Sequence, residues 1–157
     1  MYNIGDKIVY PMHGAGVIEE IETKKILGED RQYYILNVPY GDMKIMIPVE
    51  KSDEIGVRGI LSKEEIQKVF EVLRQDSTEM SNNWNRRNRE NMDKLKTGDV
   101  FEIAEVIRNL VRTERLKSLS TGEKKLLSTA MQILVSELIL VNNITIDEAK
   151  DLICEAI

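Results

Sequence analysis

The sequence predicts an α+β protein, with a small antiparallel β-barrel over residues 1–56 and an all-α domain of about five helices over residues 57–157. Short apolar runs separated by glycine-bearing turns fill the first fifty residues, which is the pattern of strands. Beyond Gly56-Val57-Arg58-Gly59 the apolar spacing changes to that of helices. Ser62, Asp99, Ser120 and Thr145 are each followed three positions later by a glutamate, marking helix starts throughout the second half.

In the first half, Lys7-Ile8-Val9-Tyr10 reads as a strand and Pro11-Met12-His13-Gly14-Ala15-Gly16 as the turn that ends it. Strands follow at 17–22, 32–38 and 43–48, with Gly28-Glu29-Asp30 and Tyr40-Gly41-Asp42 supplying turns. Four or five strands packed so closely suggest a barrel of the SH3 or Tudor type. In the second half, Ser62 and Glu65 form a capping box ahead of Ile66, Val69, Phe70 and Leu73. Asp99 with Glu102 opens a helix through Ile103, Val106, Ile107 and Leu110. Ser120 with Glu123, and Thr145 with Glu148, start two more. One further helix begins near Trp84 and is closed by Thr97-Gly98.

With 42% hydrophobic and 31% charged residues, the 157-residue chain has the composition of a soluble globular protein. Its one cysteine, Cys154, excludes an internal disulfide and is expected to pack at a helix. The N-terminus lacks an apolar signal core, and the greasiest stretch, 126–141, is too short and too interrupted to span a bilayer. The expected location is the cytoplasm. The single histidine, His13, lies in a glycine turn without a nucleophile partner and reads as a turn residue packing beside Pro11. No phosphate-binding glycine loop, metal-ligand spacing or catalytic pair is present in the sequence, so the chain reads as a binding protein with no cofactor, metal or small-molecule substrate.

The net charge of −5 argues against a protein that coats nucleic acid. Its distribution is more specific. Residues 1–55 carry six basic against ten acidic side chains, residues 84–125 eleven against seven, and residues 126–157 one against five. The basic excess begins at Trp84, the only tryptophan, in the run Ser81-Asn82-Asn83-Trp84-Asn85-Arg86-Arg87-Asn88-Arg89. Amides and guanidiniums around an aromatic side chain suit a wedge against nucleic acid. The alternative is that Trp84 anchors its helix to the bundle. Arg87, Asn88 and Asn91, at i+3, i+4 and i+7, share the tryptophan's face, where a core stripe would place aliphatic residues. That spacing favours exposure. A protein–protein adaptor docking through Trp84, or an RNA-associated barrel protein, are the other readings.

The same residues carry a family resemblance. Gly5-Asp6-Lys7-Ile8-Val9-Tyr10-Pro11-Met12-His13-Gly14, Tyr33-Tyr34-Ile35-Leu36 and Ile47-Pro48-Val49 in the first half are joined by Trp84-Asn85-Arg86-Arg87, Leu95-Lys96-Thr97-Gly98-Asp99, Ala104-Glu105-Val106-Ile107-Arg108 and Ser136-Glu137-Leu138 in the second. In this order and spacing, the chain resembles the CarD/CdnL family of bacterial RNA-polymerase-binding transcription regulators. The resemblance implies a Tudor-like domain, shared with transcription-repair coupling factors, that binds the polymerase β subunit. It also implies a helical domain contacting promoter DNA at the upstream edge of the transcription bubble, where a tryptophan wedges into the minor groove. By the same resemblance Trp84 is the wedge, with Arg86, Arg87, Arg89 and Lys124 contacting the backbone. Lys24, Lys44 and Met46 then fall on the polymerase-binding strands. Family members often carry a basic residue where this chain has Met46, so a salt bridge made there is missing.

Overall fold

The computed structural model describes residues 1–157. Five strands form one antiparallel sheet: β1 (Lys7–Tyr10), β2 (Gly14–Ile26), β3 (Glu29–Val38), β4 (Met43–Pro48) and β5 (Arg58–Gly59), in the order β4-β3-β2-β1-β5. A 3-10 turn at Val49–Lys51 and a single-turn helix α1 (Ser52–Ile55) connect β4 to β5. Five longer helices follow: α2 (Lys63–Arg74), α3 (Trp84–Lys96), α4 (Val100–Leu116), α5 (Thr121–Asn142) and α6 (Ile146–Ala156). The α+β class and the five helices after residue 62 agree with the sequence pattern. The last strand, β5, lies beyond residue 56, in the segment where the pattern showed only a change of period.

Alternation along the strands directs Ile8, Ile18, Tyr34, Leu36, Val38 and Ile47 into one small core, which Val57 closes. A register shift between Ile18 and Glu20 bends β2 over that core. The β2–β3 hairpin is longer than its apolar pattern predicts. Thr23–Ile26 pair with Glu29–Gln32 beyond the end of β4, whose last partner on β3 is Tyr33. This two-stranded overhang buries neither face, so its charged residues show no alternation. Its turn is Leu27-Gly28, with φ of 52° and 80°. Both values are positive, as the tight hairpin turn that suits strand twist requires.

A second, larger core unites Ile66, Leu73, Leu95, Ile103, Ile107 and Leu134 with neighbours from α2 to α6. α4 lies at its centre, against α2, α3 and α5. α5 is long and apolar enough to cross a membrane, more so than its sequence run alone suggested. Here its apolar side chains, from Leu126 to Leu138, are buried against α4, α6 and β2.

The sheet and the helices are joined through the middle of α5. Ala15 N donates to Ser136 Oγ at 2.8 Å, and Gln132 Nε2 donates to His13 O at 2.9 Å. Gly14 (φ 118°) approaches Ser136 so closely that any Cβ would overlap its hydroxyl. The Arg58 guanidinium grips the fully buried Glu137 carboxylate with bonds of 2.8 and 2.9 Å, and Leu61 N donates to it at 2.9 Å. Burial works to lower the Arg58 pKa, but the hydrogen bond and charge of Glu137 outweigh it and raise the value. A bidentate, fully hydrogen-bonded pair of this kind fixes geometry as well as charge.

Candidate nucleic-acid interface

The N-termini of α3 and α5 meet at Trp84. Asn83 caps α3 by accepting from Arg86 N at 3.1 Å, which places Trp84 at the first helical position. Ser120 caps α5 by accepting from Glu123 N at 3.2 Å. Trp84 Nε1 donates to the same Ser120 Oγ at 3.0 Å. The Cζ2 edge of the ring lies over Gly122, where a Cβ would stand 3.6 Å from it. The indole remains 47% exposed. Two helix N-termini, each with free N–H groups and a positive dipole end, therefore flank a half-exposed aromatic ring. The combination suits a polyanion with stackable or wedgeable bases.

The predicted basic residues divide. Arg86 is exposed and bonds Glu90 at 2.9 Å. Arg89 is exposed without an ion pair, and Lys124 is exposed in the first turn of α5, the helix whose N-cap Ser120 holds the indole. Arg87 differs. Its side chain is 18% exposed, Nε and Nη2 donate to Glu123 at 3.2 and 3.4 Å, and Nη1 donates to Ser81 O at 3.2 Å. Three of its five N–H donors are thus engaged inside the protein. The helical face shared by Trp84, Arg87, Asn88 and Asn91 packs against α5 and the preceding loop, with Asn91 buried and donating to Met80 Sδ and Asn88 holding a buried Oδ1 that has no hydrogen-bond partner. Trp84 is exposed because it stands at the start of α3, not because its face is turned outward.

The loop leading into α3 is pinned by a second polar cluster. The buried Arg108 donates to Val72 O at 2.9 Å and to Thr78 Oγ1 at 3.4 Å. Asn109 Nδ2 donates to Thr78 Oγ1 at 2.7 Å, and Thr78 Oγ1 bonds Glu105 Oε1 at 2.7 Å. Lys94 Nζ of α3 reaches the same carboxylate oxygen at 3.0 Å. Burial lowers the Arg108 pKa, against the attraction of Glu105.

Of the three candidate polymerase-facing residues, Lys44 and Met46 lie two apart on one face of β4, and Lys24 stands apart on the overhang. Lys24 pairs across the overhang with Arg31, whereas Lys44 faces Asn37 and Met46 faces Ile35 on β3. Six residues of strand, about 20 Å, separate the Lys24 and Lys44 rungs. Each lysine also has a carboxylate near it, Glu22 at 3.9 Å and Glu19 at 3.5 Å. The sequence reading missed the tip residue Leu27, 99% exposed beside the exposed Ile26. It read Ser120 and Glu123 as a cap only. The i, i+3 spacing was the available signal, yet nothing in it tells of the contact with Trp84, 36 residues earlier. His13 stacks on Tyr10 at 4.7 Å, with Pro11 instead lying close to Gly56. Cys154, expected to be packed, is exposed on α6 beside a shallow apolar depression lined by Val111, Leu127 and Met131.

Two family models match this chain. One, described as CarD, C-terminal domain, covers residues 68–154. The other, described as CarD-like/TRCF RID domain, covers residues 2–61. Over 150 residues the chain is 39% identical to YdeB of Bacillus subtilis (strain 168), described as a candidate transcription factor; the match spans 96% of this chain and 98% of that protein. It is also similar to the solution NMR structure of the 72-residue N-terminal domain of Myxococcus xanthus CarD, at 27% identity and a TM-score of 0.33, covering 38% of this chain and 79% of that one.

Proposed function

Because the chain belongs to the CarD family of transcription regulators, we propose that it binds the β subunit of bacterial RNA polymerase through its N-terminal sheet and stabilises the promoter open complex with Trp84, acting in the cytoplasm. The observation that carries this reading is the half-exposed indole at the meeting point of two helix N-termini, with Arg86, Arg89 and Lys124 on the same two helices. Bubble reclosure requires the upstream base pairs to restack. An indole in the minor groove at that junction competes with restacking, and the neighbouring cations hold the adjacent backbone. Deformability of the junction, rather than base identity, selects the site. On the polymerase side, the exposed edge of β4 with Lys44 and Met46 offers a strand to pair, and the overhang adds Lys24 and the apolar Ile26 and Leu27. Three exposed cations on an acidic chain bind free DNA weakly, and tethering to polymerase supplies the missing affinity through effective concentration.

The test is the lifetime of the open complex on a labelled promoter with the cognate polymerase. Wild type prolongs it. Trp84→Ala binds polymerase equally but shortens the lifetime about tenfold, equivalent to ~1.4 kcal/mol. Equal lifetimes for the two proteins would remove Trp84 from the mechanism, and an effect of neither would remove the polymerase assignment.

A further inference from the structure

We propose that Ser120 is a positioning residue for Trp84: it holds the indole by its only N–H, so that the ring presents hydrocarbon alone to the DNA. The inference rests on Trp84 being the wedge and adds how the wedge is set. A hydroxyl has one proton to give and two lone pairs to fill. Ser120 Oγ uses all three. It accepts from Trp84 Nε1 at 3.0 Å and from Glu123 N at 3.2 Å, and it donates to Glu123 Oε1 at 3.1 Å. Glu123 is itself buried and fixed by Arg87, which is anchored to Ser81 O, the residue three before the tryptophan. The bonds run in series, Ser81, Arg87, Glu123, Ser120, Trp84, and the backbone between Ser81 and Trp84 joins the two ends.

The consequence is chemical. Nε1 and Cζ2 lie on one edge of the indole, and both face the start of α5. The opposite edge, Cε3 and Cζ3, carries only carbon. The acceptors that line a minor groove, adenine N3 and thymine O2, would draw a free indole N–H into hydrogen bonds that separate A·T from G·C pairs, where the guanine amino group intrudes, though not A·T from T·A. Here it is spent within the protein. With its N–H engaged by Ser120 the ring can insert or stack without that donor, so the wedge does not sort A·T from G·C pairs through it, and its orientation is fixed before DNA arrives.

Three substitutions separate this role from simple capping. Ser120→Ala removes both hydroxyl and cap. Ser120→Gly removes the hydroxyl while retaining most of the capping preference, and Ser120→Thr keeps both. In the free protein, the emission of the sole tryptophan reports the clamp. Ser120→Ala and Ser120→Gly are expected to lower its steady-state anisotropy and shift its emission maximum, and Ser120→Thr to restore both. On the polymerase–promoter complex, the Ala and Gly variants shorten the open-complex lifetime roughly threefold to tenfold, the equivalent of one hydrogen bond, and Thr restores it. If Trp84→Ala shortens the lifetime but the Ala and Gly variants match wild type, the clamp is refuted and the wedge stands. If Trp84→Ala has no effect, the wedge fails, and unchanged anisotropy in the Ala and Gly variants refutes the clamp independently.

Discussion

Arg87 and Arg89 are two positions apart on one helix, in a run where every arginine looks alike, yet the fold gives them different work. Arg87 neutralises the buried Glu123, so Arg87→Ala strands that carboxylate and is expected to cost about 2 kcal/mol in denaturant unfolding. Arg89→Ala should change stability by less than about 0.5 kcal/mol. It should instead flatten the log–log salt dependence of the polymerase-bound promoter contact by about 0.9, one phosphate's share. An exchange of these two outcomes would reverse the assignment. This difference was not legible in the sequence, because residue type and helical spacing say which side chains share a face but not what packs on it. Glu105 makes a second prediction at this scale. Burial tends to raise its pKa, but hydrogen bonds from Thr78 and Lys94, with the charges of Lys94 and Arg108, hold it below the ordinary 4.5. The folded chain thus binds the proton less readily than the unfolded chain. Its contribution is present above pH 4.5 and is lost as pH falls through the lowered value. Glu105→Gln should lower stability near neutrality and flatten the acid limb of a stability–pH curve; parallel acid limbs for the two proteins would refute it.

At the scale of elements, the helix starts were legible because capping is local. Ser62 with Glu65 and Thr145 with Glu148 close as reciprocal capping boxes. The other two use their glutamates differently: Glu102 accepts from Thr97 Oγ1, and Glu123 serves the Ser120 clamp. The overhanging hairpin was only half legible, since a ribbon exposed on both faces has no apolar alternation to read. β5 escaped because two residues are too few to show a period. The hairpin tip carries a cost that can be measured. Leu27 occupies a left-handed conformation that suits asparagine or glycine and strains a leucine by roughly 1–2 kcal/mol. Leu27→Asn is therefore expected to stabilise the chain by about 0.5–1 kcal/mol, raising Tm by about 1–4 °C. A Tm that falls instead would show that the tip is supported by contacts beyond its turn geometry.

The whole molecule is organised by one helix. α5 holds the indole at its N-cap and the sheet at Gln132, Ser136 and Glu137. The seventeen-residue interval from Ser120 to Glu137 corresponds to about 25 Å of helix rise. Since a helix turns by about 100° with every residue, this interval sets an azimuth as well as a length. The two respond differently to editing of the chain. One alanine inserted near Lys125 lengthens the span by only about 1.5 Å but swings Ser120, the indole's anchor, a quarter-turn or more about the axis. Seven inserted residues add about 10 Å and return it to within about 20° of its first bearing. Comparing the open-complex lifetimes of the two insertions, with polymerase binding as control, separates reach from bearing. If bearing governs, the single insertion abolishes the effect and the sevenfold one retains part of it; if reach governs, the order reverses. The position of the proposed DNA contact relative to the proposed polymerase-binding sheet is in this sense written in the phase of α5.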